Sequence, residues 1–181
     1  MKVVGFCGSS GSGKTTLIAG VVAALRAAGE RVSVVKHAHG GFELDQPGKD
    51  SHRLREAGAF EVLLASPQRL ALQREFGADV RFTVHELLAE LVDVDWVLVE
   101  GFRHADLFKV EVWRQAAAAV RGDRPIYPDD PYVVAIATDR PDALPEPTLR
   151  PVVPLDDPAA LVAVLREAGE RLVYDRSQPR D

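Results

Sequence analysis

The chain holds one cysteine among its 181 residues, no long uninterrupted apolar run and no excess of basic charge. A lone Cys7 excludes an intramolecular disulfide and a cysteine-based zinc finger, so nothing calls for an oxidising compartment and a cytoplasmic location is expected. The longest apolar stretches, such as 21–28, are broken by charge or glycine well short of the roughly 20 residues a bilayer core requires, so no membrane partner is expected. Against 22 Lys and Arg stand 27 Asp and Glu, a net charge of -5, and the basic residues are dispersed. That pattern excludes electrostatic capture of nucleic acid and leaves room for a local anion site. Lys2 ahead of an apolar stretch imitates a targeting segment, but the stretch runs into a glycine-rich loop carrying Lys14 instead of a small-residue cleavage site.

What is there reads as an ordinary globular chain, 46% hydrophobic and 27% charged, long enough for one core. A single domain is expected over 1–175, with a frayed tail over 176–181. The patterning predicts a buried strand over 2–7, a helix over 15–28 closed by Gly29, a strand over 31–36, a polar loop to Lys49, and a short helix over 50–57 begun by Asp50 and closed by Gly58. Apolar 60–65, a Ser66-Pro67 turn and alternating 70–76 predict an antiparallel hairpin. Thr83 and Glu86 form a capping box for a helix over 83–92. Strands over 96–99, 108–113 and 132–137 follow, the last two separated by a loop over 122–131 rich in Pro, Asp and Gly. Val152 and Val153 form an edge strand before a helix begun by Asp157 and Pro158. Alternation of apolar strands with helices predicts an α/β fold: a mainly parallel twisted sheet, helices on both faces, and an antiparallel hairpin or edge strands. Such sheets bind ligands beyond the carboxyl ends of their strands.

Gly8-Ser9-Ser10-Gly11-Ser12-Gly13-Lys14-Thr15, followed by Thr16, fits the phosphate loop G-x-x-x-x-G-K-[ST], with a predicted strand before it and a helix after it. Its glycines let backbone N–H groups turn toward a di- or triphosphate, Lys14 places a point charge on the outer phosphates, and the Thr15 hydroxyl reaches Mg²⁺. This makes the expected fold that of a P-loop NTPase. The metal needs an acid at the end of another strand, and Glu100 closes the apolar run Trp96-Val97-Leu98-Val99. Gly101 behind it allows close backbone approach to a ligand.

The loop after the second strand is dense in functional side chains. His37, His39, His52, Asp45 and Asp50 are candidate ligands of a divalent ion. The preferred reading is that Asp45 or Asp50 assists Mg²⁺ while Lys36, Lys49 and Arg53 face an anionic substrate. A plain polar loop, with Asp50 and Ser51 capping a helix, is the structural alternative.

At this point the sequence resembles the molybdopterin-guanine dinucleotide biosynthesis protein B family, MobB. The matching pieces are the phosphate loop at 8–16, Lys36-His37-x-His39 running to Asp45-x-Pro47-Gly48-Lys49-Asp50-Ser51, then Arg53 through Ala57-Gly58-Ala59, and Val97-Leu98-Val99-Glu100-Gly101-Phe102. They span roughly the first three fifths of the chain, in order, and are far more specific together than the phosphate loop alone. The resemblance implies a P-loop GTP-binding protein with weak GTP hydrolysis. It implies further a homodimer that assists a separate MobA-type nucleotidyltransferase in attaching GMP to molybdopterin, without itself performing the transfer. Gly11, Gly13, Lys14, Thr15 and Thr16 would hold phosphate and Mg²⁺, Glu100 would be the strand-end acid, and Asp45 with Pro47 to Ser51 would flank the γ phosphate or the pterin. A signature lysine of the wider class is replaced here by Ser9 and Ser10, which disfavours ATPase behaviour of the partitioning type. Gly40 and Gly41 after His39 weaken a metal role there.

G-domain proteins read guanine with [NT]-K-x-D, and here Ala137-Thr138 leads into Asp139-Arg140-Pro141-Asp142. Asp142 has the matching spacing, although Asp139 is not Asn; Thr138, Asp139 or Asp142 lines the base, or the segment is an exposed acidic turn. No water-positioning glutamine stands near Glu100 in the sequence, which suits slow turnover, and Arg103 is a candidate contact for substrate or partner. Two other readings stay open. One is a P-loop small-molecule kinase or ATP-dependent ligase, with Lys36 or Lys49 activating the substrate. The other is a nucleotide-gated metal-insertion protein using His37, His39 and His52.

Overall fold

The computed structural model describes residues 1–38 and 40–175; His39 and the expected tail over 176–181 lie outside the described residues. In chain order the elements are β1 (Lys2–Cys7), α1 (Lys14–Ala27), β2 (Val32–Lys36), α2 (Asp50–Glu56), β3 (Glu61–Ala65), β4 (Leu70–Arg74), α3 (Val84–Ala89), β5 (Trp96–Glu100), β6 (Lys109–Trp113), α4 (Gln115–Arg121), β7 (Val133–Thr138), β8 (Val152–Pro154) and α5 (Pro158–Ala168). A single 3-10 turn, Gly169–Leu172, follows. The chain forms two compact units, one of residues 1–37 with everything from Thr83 onward, the other Ala38–Phe82.

The larger unit is built on six strands in the order β2-β5-β1-β6-β7-β8, all pairs parallel. Alternate residues of the strands face opposite ways. Val4, Phe6, Leu98, Val110 and Val112 meet Leu17, Ile18, Val21 and Leu25 of α1 and Leu161, Val162 and Leu165 of α5. On the other face Val3, Val35, Val97 and Val99 meet Val84 and Leu88 of α3, and Trp113, Val133 and Ile136 meet Ala118 of α4 and Tyr127. Both faces are therefore covered, which is why β5 and β7 read as nearly continuous apolar runs. Thr83 caps α3 with Glu86 in the expected reciprocal box. The Asp157 carboxylate accepts the Ala160 N–H, with Pro158 opening α5.

The structure adds two local features to the sequence pattern and corrects one expectation. The helix α4 was absent from the sequence reading: its run Gln115-Ala-Ala-Ala-Ala-Val-Arg carries high helix propensity but little apolar periodicity, and only Ala118 is buried. The strand over 108–113 alternates apolar with charged residues, and the charged ones are buried: Lys109 is 3% exposed and Glu111 1%. The segment 123–130 covers that face and satisfies both charges. Lys109 Nζ donates to the carbonyls of Arg103 and Ala105 at 3.0 and 2.7 Å and pairs with Asp130 at 3.1 Å. The Glu111 carboxylate accepts the N–H groups of Ile126 and Tyr127. Asp50 does not cap α2: Lys49 occupies the cap position without a side-chain bond, and Asp50 stands in the first turn, where its charge complements the helix dipole.

The smaller unit holds α2 and the antiparallel pair β3–β4, register Leu63 opposite Leu72, as the hairpin pattern predicts. Cys7 is buried, its thiol pushed up to about 12 by that burial, and is inert as a nucleophile.

Candidate functional site

The loop that leaves β1, one of the two central strands of the six, is the centre of the site. Gly8 has φ +137°, and a β-carbon there would lie 2.2 Å from the Val112 carbonyl oxygen, so only glycine allows the loop to turn this tightly against β6. Within the loop the Ser12 N–H donates to the Ser9 carbonyl at 3.2 Å. The Lys14 ammonium curls back onto the carbonyls of Gly8 and Ser9, at 3.0 and 2.7 Å. Burial lowers the Lys14 pKa from its ordinary value, with the Glu100 charge pulling the other way.

Strand pairing brings the acid to this loop. Glu100 is level with Phe6 of β1 on one side and with Lys36 of β2 on the other. Its two oxygens accept the Thr15 hydroxyl at 2.9 and 3.0 Å, and Lys36 Nζ stands 3.5 Å from one of them. Gly101, at φ +105°, would place a β-carbon 2.8 Å from that of His37, whose backbone N–H donates to the Glu100 carbonyl. The tight turn thus locks the acid's backbone in place. The His37 ring lies 4.6 Å from that of Phe102, centroid to centroid.

The residues present fit a polyphosphate with a hydrated Mg²⁺. Ser12 Oγ is buried with no hydrogen-bond partner among the described residues, a polar atom at the loop that a phosphate oxygen would satisfy. Thr15 and Glu100 supply the hydroxyl and carboxylate that Mg²⁺ takes alongside phosphate and water. Among the described residues, which do not include His39, no three His, Cys, Asp or Glu side chains gather to hold a metal ion.

A family model described as molybdopterin guanine dinucleotide synthesis protein B matches residues 3–139. The chain belongs to the MobB family. Two relatives bear the name molybdopterin-guanine dinucleotide biosynthesis adapter protein. That of Escherichia coli is 39% identical over 145 residues, 78% of this chain and 80% of the relative. That of Haemophilus influenzae is 39% identical over 144 residues, 78% and 76%. The crystal structure of Bacillus subtilis MobB matches with a TM-score of 0.69 at 26% identity, covering 97% of this chain and 100% of that one. The architecture is accordingly the P-loop NTPase fold of MobB, as the motif and strand pattern predict.

In this MobB chain the predicted site residues divide between the two units. Gly8 to Thr16, Lys36, Glu100, Asp139 and Asp142 belong to the larger one, and Lys14, Thr15, Lys36 and Glu100 are brought together there. Asp45, Lys49, Asp50, Ser51 and Arg53 belong to the smaller one. There the Asp45 carboxylate accepts the Ser51 hydroxyl at 2.7 Å and the Gln46 N–H at 3.1 Å, with Arg55 Nε at 3.4 Å; the Ser51 bond leads in holding its pKa below the usual range. Arg55 also binds Glu43 and Glu75, so Asp45 sits in a charge network of its own unit. His52 faces Glu56 one helical turn on, at 3.3 Å.

After β7 the Thr138 hydroxyl accepts the Arg140 N–H at 3.2 Å, and Asp139 pairs with Arg114 at 3.4 Å. Asp142 is exposed in the following turn and lies beyond the span matched by the MobB model. Two residues at the loop escaped the sequence reading. Arg114, directly after β6, brings its guanidinium to within 3.7 Å of where a Gly13 side chain would stand, and its position at the carboxyl end of a strand was the available signal. Asp123 accepts the Ser9 hydroxyl at 2.6 Å, and no spacing rule links residues so far apart.

Proposed function

We propose that this chain is a GTP-binding adaptor with slow GTP hydrolysis that assists a MobA-type molybdopterin nucleotidyltransferase in attaching GMP to molybdopterin. The observation that carries the reading is the meeting of Thr15 and Glu100 at 2.9 Å beside Lys14, inside a span that matches the MobB family. The names of the two bacterial relatives support the adaptor role. In this reading residues 1–175 act as one nucleotide-binding domain, with 38–82 inserted in it, working as a cytoplasmic homodimer.

The chain's own residues divide the work simply. Lys14 neutralises the outer phosphates, the loop N–H groups orient them, and Ser12 completes its hydrogen bonding on a phosphate oxygen. Thr15 and Glu100 hold Mg²⁺, which when bound withdraws charge from the phosphate oxygens. Glu100 also keeps Lys36 at the rim of the site, poised toward an anionic substrate such as the pterin phosphate. Asp45, Lys49, Asp50, Ser51 and Arg53 of the smaller unit are the candidates for contacting an anionic substrate such as the pterin. Asp139 and Asp142 are the candidates for reading the base.

Calorimetric titration with GTP and separately with ATP, each with Mg²⁺, tests the reading. GTP is expected to bind at least ten-fold more tightly, about 1.4 kcal/mol. Equal or tighter ATP binding overturns the GTP assignment and favours a kinase or ligase.

A further inference from the structure

We propose that Asp123 is a positioning residue for the phosphate loop, gripping Ser9 by its hydroxyl so that the Ser9 carbonyl stays turned toward Lys14. The inference rests on the reading of that loop as a nucleotide site. Ser9 is committed at both ends: its hydroxyl donates to Asp123 Oδ2 at 2.6 Å, and its carbonyl accepts Lys14 Nζ at 2.7 Å and the Ser12 N–H at 3.2 Å. The first of these has the length of a charge-assisted bond, the stronger kind. Ser9 is also 7% exposed, so water does not readily replace the carboxylate.

Asp123 is itself held from both sides. Its N–H donates to the Ala118 carbonyl at 3.0 Å across Gly122, which closes α4 in the left-handed conformation at φ 66°. Downstream, Glu111 takes the N–H groups of Ile126 and Tyr127, Lys109 takes Asp130, and the Tyr127 hydroxyl donates to the Glu146 carbonyl at 2.7 Å. The carboxylate is therefore presented to the loop by a braced segment that ends a helix, and its reach to Ser9 is set by the fold.

Two physical effects of Asp123 on an incoming anion oppose each other. As an acceptor it orders Ser9 and, through it, Lys14; as a negative charge it repels phosphate. Repulsion alone predicts that Asp123→Ala and Asp123→Asn both tighten GTP binding. Positioning predicts that Asp123→Ala weakens it while Asp123→Asn, whose side-chain oxygen still accepts the Ser9 hydroxyl, does not follow. A role confined to bracing the fold predicts a lower melting temperature with unchanged affinity.

The test is Mg²⁺-GTP titration of the full chain and its Asp123→Ala, Asp123→Asn, Ser9→Ala and Ser9→Ala/Asp123→Ala variants, with hydrogen exchange of residues 8–14 in the nucleotide-free proteins. Asp123→Ala is expected to weaken GTP about ten-fold, the share of a charge-assisted bond transmitted to binding, and to speed exchange in the loop. Asp123→Asn should stay within about three-fold of the parent, and the double variant should bind no worse than either single one, since both break the same bond. Unchanged or tighter binding by a folded Asp123→Ala, with loop exchange unaltered, overturns the proposal. Failure of the parent chain to bind GTP instead removes the nucleotide reading, and the exchange rates alone then decide whether Asp123 holds the loop.

Discussion

Replacing Lys14 by alanine is expected to weaken GTP binding by about a hundred-fold, some 2.7 kcal/mol, while the chain stays folded. The ammonium is already drawn out of water onto two carbonyls, and burial has lowered its pKa, so much of its desolvation occurs on folding and not on binding. A phosphate then gains a charge partner that is already partly dehydrated and aimed. The fold loses little by comparison. The Ser9 carbonyl keeps the Ser12 N–H, and the alanine leaves no charge behind, so the cost is below about 1 kcal/mol, a shift of a few degrees in melting temperature. Calorimetry and a thermal melt on one preparation check both halves. A folded Lys14→Ala protein with the parent's affinity would remove the phosphate loop from nucleotide binding altogether.

The largest loss of stability is expected at Glu111. It is 1% exposed, and its oxygens accept the N–H of Ile126 at 3.0 Å and of Tyr127 at 2.7 Å. Alanine there leaves one buried and one part-buried donor without acceptors and opens a cavity, offset in part by removal of a buried charge. The net cost is about 2 to 3 kcal/mol, read from the urea midpoint. Glutamine preserves the shape and one acceptor oxygen, so its loss is smaller. Burial raises the Glu111 pKa above its ordinary 4.5 despite the two backbone bonds. The folded chain therefore holds this proton to higher pH than the unfolded chain does. The stability it contributes is complete below about 4.5 and is lost as pH rises through the raised value. Urea melts of the parent should fall relative to those of Glu111→Gln across that window, and parallel curves over the whole range would contradict the shift.

The phosphate loop and its acid were legible because independent signals coincide on them. An apolar strand, a glycine run with Lys14 and a helical pattern follow one another without a gap, and Glu100 closes a second strand. The structure then makes that pair adjacent through the register of β1 with β5. The order β2-β5-β1-β6 was not legible, since fully buried parallel strands all read as the same kind of apolar run and carry no mark of their neighbours. The burial of Lys109 and Glu111 was hidden for a related reason. Alternation in a strand reports which residues share a face, whereas what covers that face depends on a segment 15 to 21 residues away. Asp123 sits on that segment, at the end of a helix too short and too alanine-rich to show a period.

The position of β1 has a consequence for synthesis. Of the six strands of this sheet it comes first in the chain, yet the two lanes beside it belong to β5 and β6, and β2, the second, lies two places away. As the chain leaves the ribosome, Lys2–Cys7 and Val32–Lys36 therefore emerge with an empty lane between them that nothing fills until Trp96–Glu100 appears. The other side of β1 waits longer, for Lys109–Trp113. A central strand of the sheet thus waits for both of its neighbours until most of the sheet has been made. A chain ended before β6 would leave one edge of β1 without its partner strand, the kind of open edge that invites pairing with another chain.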